Sequence, residues 1–224
     1  NWACPKASTR HRASVVRTKA SRAPARRATA RHKGNGGSKP PGRRTLASIS
    51  GNALNGSLSK VLSELDKYYP GAKKYEVAGF LWWQGDRDSR SAALSSRYEK
   101  NLVHIIKQLR KDFNAPKAKF VCASLGQTKK GSTDGGGKIL NAMQAVDGKS
   151  GKYQEFKGNV ASVESYEVYS HDAYEVFKKG WAQHFAEGCV VGSDRPYHYL
   201  GSTITFTKIG RALGQAILEL RGGK

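Results

Sequence analysis

The chain has 224 residues, 38% of them hydrophobic, enough to bury one sizeable core but not a second full domain. No apolar run approaches the roughly 20 residues needed to cross a bilayer, and no charged start leads into an apolar segment with a small-residue cleavage site, so neither a membrane span nor an export signal is read. The formal charge of +22 is uneven: residues 1–45 hold 13 Lys and Arg and no Asp or Glu, which leaves 26 basic and 17 acidic residues, or +9, for residues 46–224.

Residues 1–45 are rich in Arg, Ala, Ser, Thr and Pro and nearly empty of large apolar side chains after Val15-Val16. Such a segment cannot bury enough surface to offset its ordering entropy, and disorder is expected. One functional reading is a basic tail that binds a polyanion through phosphate or sulfate contacts, with no aromatic interleaving to stack on bases. Another is that the segment is not native sequence: the change to amphipathic patterning near Leu54 is what a reading-frame slip in a GC-rich gene would produce. The chain opens at Asn1 and not at Met, which reads as a fragment or a processed product. Cys4, Cys122 and Cys189 lie far apart with no CxxC spacing, so neither a zinc site nor a disulfide framework is indicated, and Cys122 reads as a small buried side chain.

Orderly patterning begins at Ser57, a plausible N-cap. Leu58, Val61, Leu62 and Leu65 fall on one helical stripe that Pro70-Gly71 stops. A strand follows at Val77 to Trp83. Tyr98, Leu102, Ile105, Ile106, Leu109 and Phe113 then recur at helical spacing and predict a long helix ending before Pro116. Phe120 to Leu125 reads as a second buried strand, followed by a polar loop from Gly126-Gln127-Thr128 through a flexible Gly135-Gly136-Gly137. Ile139, Leu140, Met143 and Val146 predict a short helix, and Asn159 to Val163 a third strand. Tyr174, Val176, Phe177 and Trp181 suit a further helical segment, and Thr203 to Leu220 the last helix. Strands alternating with helices imply an α/β fold, a three-layer α/β/α sandwich with a parallel sheet.

The most informative stretch is Gly79-Phe80-Leu81-Trp82-Trp83-Gln84-Gly85-Asp86-Arg87-Asp88, an apolar run that ends in a polar, glycine-containing turn. The run suits a central strand buried on both faces, and its polar end is then the carboxyl end, where ligands bind in open α/β sheets. Gln84, Gly85, Asp86 and Asp88 are therefore the first candidates for chemistry; the plainer reading is a solvated turn. Trp82, Trp83 and Tyr197 serve either as core packing or as sugar-stacking surfaces. A second constellation, Gly192-Ser193-Asp194-Arg195-Pro196-Tyr197-His198-Tyr199-Leu200-Gly201-Ser202, stands just before the last helix. There Asp194 could orient His198 as a general base, against the alternative of an ordinary loop histidine.

These two blocks in this order, with Tyr98-Glu99-Lys100-Asn101-Leu102 between them, resemble the sialate O-acetylesterase and acetylxylan-esterase-like branch of the SGNH (GDSL-like) hydrolases, over roughly residues 58–220. The resemblance implies a flavodoxin-like sandwich that hydrolyses acetyl esters on carbohydrate by a Ser-His-Asp mechanism, without metal or cofactor, in an exported parent protein. Carried over by position, His198 matches the base and Asp194 its orienting carboxylate. Trp83 to Asp88 matches the block that forms part of the oxyanion hole, with Gln84 or the Gly85 backbone as donor. The chain departs from the pattern in three places. The Gly-Gln-Ser-Asn or Gly-Asp-Ser-like block that carries the nucleophile is not found, Arg87 stands where many relatives have Asn, and Asp194 is four residues before His198 where three is common. None of Ser48, Ser50, Ser57 and Ser59, upstream of the first strand, sits in a strand-turn-helix elbow. The expected organisation is thus a basic segment over residues 1–45 and an esterase domain over 46–224 that lacks its nucleophile block and is inactive or nearly so.

Overall fold

The computed structural model describes residues 60–180, 183–192 and 196–222. The expectations for residues 1–45, for Ser57 and Leu58, and for Trp181 lie outside them. The helical stripe of Val61, Leu62 and Leu65 runs over residues 60–63 and α1 (Leu65–Tyr68), interrupted at Glu64, whose backbone leaves the helical region at φ −108° and ψ 33°.

β1 (Gly79–Trp83), β2 (Lys119–Ala123) and β3 (Val160–Val163) form a parallel sheet in that order, with Leu81 beside Val121 and Val121 beside Ala161. The strand expected at the centre is therefore at an edge among the described residues. β2 is the middle strand and is buried from Phe120 to Ala123, whereas Leu81 in β1 is 53% exposed. The apolar run predicts burial on both faces, but no residue of β1 is fully buried: an apolar pattern sets neither what packs above and below a strand nor which strand takes the hydrogen bonds on either flank. Two short helices, α2 (Asp86–Ser89) and α3 (Ala92–Ser95), follow β1.

α4 (Tyr98–Asp112) and α5 (Gly135–Ala145) cover one face of the sheet. Tyr98, Leu102, Ile106, Ile139 and Met143 pack there against Phe120, Cys122 and Val160. α6 (His171–Lys178) and α7 (Phe185–Val191) follow β3, and α8 (Thr203–Leu220) covers the opposite face, where Ile209 and Leu213 meet Val121 and Ala123. The side chains alternate between these two cores along β2, as a strand's period of two requires. The result is the α/β/α sandwich that the alternation of elements predicts.

Gly135-Gly136-Gly137 is not a flexible loop but the first turn of α5. Asp134 caps it, its Oδ1 accepting from the Gly137 N–H at 2.8 Å. The glycines are there for close approach: a Cβ at Gly135 would collide with the Ser89 carbonyl, and one at Gly137 with that of Ser132. No helix among the described residues is long and apolar enough to cross a membrane.

Candidate active site

Because the strands are parallel, Gln84, Ser124 and Ser165 all emerge at the carboxyl edge of the sheet. The Trp83 indole Nε1 donates to the Ser124 carbonyl at 3.2 Å, and the Ser165 N–H donates to the Ser124 hydroxyl at 2.9 Å, which ties the three strand ends together. Ser124 and Ser165 are buried.

The Gln84 side chain is clamped at both ends. Its Nε2 donates to Asp88 Oδ2 at 2.7 Å, and its Oε1 lies 3.2 Å from the Tyr98 hydroxyl, which also reaches the Gln84 carbonyl at 2.8 Å. Trp82 Nε1 donates to the Tyr98 oxygen at 3.3 Å. Tyr98 is fully buried, and that burial pushes its phenol far above the ordinary range, so it stays protonated. Asp88 is buried as well, at 1% exposure, while Asp86 pairs with Arg90 at 2.7 Å on the surface. Gly85 precedes α2 with φ 141°, a conformation that side chains disfavour, and a Cβ there would press on Ile139.

His198 lies in a short 3-10 segment, Pro196–Gly201, and is exposed. The two residues after it are left-handed, Tyr199 at φ 53° and Leu200 at φ 60°. Non-glycine residues hold such angles only where their surroundings over-determine them. Here Leu200 is fully buried against Tyr169 and Ala173, and the Tyr199 ring lies on Trp83 with centroids 4.1 Å apart. Phe206 from α8 closes the cluster at 5.6 Å from Trp83. Burial pushes the Tyr199 phenol up. The Trp83-Gln84-Gly85 turn and the His198 segment thus meet at one rim. Asp194, expected beside His198, lies outside the described residues, as does the Tyr197 side chain.

Sequence reasoning missed Tyr98 and Tyr199 as contacts of the turn. Both have a visible sequence signal: Tyr98 opens the Tyr-Glu-Lys-Asn-Leu stretch, and Tyr199 is the immediate neighbour of His198. Among the described residues no three His, Cys, Asp or Glu side chains group as a metal site would require. A cavity of about 610 Å³ lies along β3, lined by Lys130, Gln144, Asp147, Lys149, Ser162 and Glu164.

Residues 56–173, more than half of the chain, match a family described as carbohydrate esterase, sialic acid-specific acetylesterase. The chain belongs to this family. The match takes in β1, the Gln84-Gly85 turn and Tyr98, and it ends before the His198 segment. Among solved structures, a protein from Arabidopsis thaliana is similar at 19% identity and a TM-score of 0.50, over 80% of this chain and 58% of that one. That likeness shows the shared fold, and this acetylesterase-family chain spans 58% of the length of the Arabidopsis protein. No curated protein matches the sequence.

Proposed function

We propose that the rim of β1 and the His198 segment form the base and oxyanion side of a site that hydrolyses acetyl esters on carbohydrate. The observation that carries this reading is the packing of Tyr199 on Trp83, which brings the His198 segment against the Gln84-Gly85 turn. In the proposed reaction a serine hydroxyl attacks the acetyl carbonyl and its proton passes to His198, oriented by Asp194. The sugar oxygen leaves with that proton, and water then repeats the sequence on the acyl-enzyme. Gln84 or the Gly85 N–H faces the negative oxygen of the tetrahedral intermediate.

Residues 46–224 act as the esterase domain in this reading, but the 224 residues contain no Gly-Asp-Ser or Gly-Gln-Ser block. Without that serine His198 has no nucleophile to activate, and turnover falls by several orders of magnitude. With p-nitrophenyl acetate we expect hydrolysis far below that of an intact esterase. Turnover on a par with one, abolished by His198→Ala, would overturn the expectation of inactivity. Binding tests the site itself: an O-acetylated sialic acid should shift the Trp83 indole and His198 ring signals in a nuclear magnetic resonance titration, and the deacetylated sugar should do so more weakly. Unmoved signals at saturating sugar would sink the reading.

A second activity is supported by the charge distribution alone. Residues 1–45, with 13 basic and no acidic side chains, suit non-specific polyanion binding. Salt-sensitive retention on heparin should then vanish when these residues are deleted, and retention that survives the deletion would exclude this role for them.

A further inference from the structure

Glycine at position 85 makes the turn possible but does not make it rigid. With φ 141° the residue occupies a region closed to other side chains, yet glycine crosses between backbone regions at little cost. A Gln84-Gly85 peptide held only by its own torsions could rotate end over end. Something outside the turn must decide which way its carbonyl and its N–H face.

Tyr98 is placed to do this. It opens α4, fourteen positions after Gln84 in the sequence but only 2.8 Å from the Gln84 carbonyl oxygen in space. Its ring is locked among Leu102, Ile106, Phe120 and Ile139, so the hydroxyl has little freedom to follow a moving peptide. Trp82 donates to the phenol oxygen, which leaves the single phenol proton for Gln84. Of its two acceptors the backbone carbonyl is closer, at 2.8 Å against 3.2 Å for Oε1.

A trans peptide is planar, with its C=O and the following N–H pointing in opposite directions. Anchoring the Gln84 carbonyl on Tyr98 therefore directs the Gly85 N–H away from the α4 and α5 core. That N–H has no acceptor among the described residues. The Gln84 amide, by contrast, already donates to Asp88. We propose that Tyr98 is a positioning residue that holds the Gln84-Gly85 peptide so that the Gly85 N–H, and not the Gln84 side chain, is the oxyanion donor of the site. This rests on the reading of the turn given above. It also assigns a role to the Tyr98-Glu99-Lys100-Asn101-Leu102 stretch.

The test uses the full chain labelled with nitrogen-15 and titrated with acetate, the product oxyanion of acetyl ester hydrolysis. In the wild type the Gly85 amide signal should move on titration, and its hydrogen exchange in the free protein should be fast beside that of core amides. Tyr98→Phe keeps the ring and removes the anchor; its Gly85 response should weaken by about tenfold, the loss expected for one hydrogen bond to a charged group. Trp82→Phe removes a neighbour of the phenol but leaves the anchor, and the Gly85 response should persist. A wild-type Gly85 signal that acetate does not move would remove the oxyanion reading of the turn. A wild-type response that Tyr98→Phe leaves unchanged would overturn the role of Tyr98 alone. Should Tyr98→Phe fail to fold, the wild-type exchange rate still decides, because a Gly85 amide as protected as those of β2 would face the core and refute the proposal.

Discussion

Trp83 at the end of β1 and Tyr199 just after His198 pack with ring centroids 4.1 Å apart and planes inclined by 43°. They are 116 positions apart in the chain, and their contact is what sets the candidate base beside the candidate oxyanion turn. Tyr199 also meets Tyr169, which follows β3, and Phe206 in α8, at centroid distances of 6.2 and 6.1 Å, so one side chain joins segments that follow two strands to the segment before α8.

This junction predicts a graded response. Tyr199→Phe keeps the ring on Trp83 and should change stability by no more than about 0.5 kcal/mol. Tyr199→Ala also removes the ring and should cost more, by about 2 kcal/mol. Urea unfolding of the three proteins measures the series. Equal stability of Tyr199→Phe and Tyr199→Ala would show that the ring packing on Trp83 contributes nothing.

Glycines 85 and 71 should respond differently to alanine. Both have positive φ, 141° and 85°, but a Cβ at Gly85 would press on Ile139 while one at Gly71 meets open space. Gly85→Ala combines backbone strain of about 1–3 kcal/mol with overpacking, whereas Gly71→Ala carries the strain alone. Thermal unfolding should rank Gly85→Ala as clearly the less stable; the reverse order would contradict the described turn.

Asp147 gives the fold an acid sensitivity. Burial by itself would raise its carboxyl, but the backbone N–H groups of Ser162, Lys149 and Ser150, with the Ser150 hydroxyl, outweigh that and hold it below the usual range. A depressed folded-state value stabilises the native state above the unfolded value of about 3.9 and loses that contribution as pH falls through the folded one. Asp147→Asn should lower stability at pH 7 and flatten its fall between about pH 4 and 2. Parallel wild-type and variant curves of unfolding free energy against pH would refute this.

Cys122 should be inert in the native state. It is fully buried in β2, and burial, with the charge of Asp147 adding to it, pushes its thiol up to about 12. A thiol-specific reagent at pH 8 should label it only at the rate of unfolding, and rapid labelling of the folded chain at Cys122 would contradict the described core.

Much of the architecture was legible because it is periodic. The stripe from Tyr98 to Phe113 appears as α4, and the pattern from Thr203 to Leu220 as α8 with the same ends. Gly135-Gly136-Gly137 reads as a flexible loop because close backbone approach and flexibility use the same residue, and only the positions of Ser89 and Ser132 distinguish them.

What the sequence determined by itself was the alternation of strands and helices, the two polar blocks and their order, since these follow from the spacing of apolar side chains along one chain. Which strand takes the middle of the sheet, that Tyr98 grips the Gln84 carbonyl, and that Tyr199 lies on Trp83 were decided only by the tertiary structure. Each depends on groups far apart in sequence that become neighbours when the sheet and its helices pack, and no local pattern encodes such a distance.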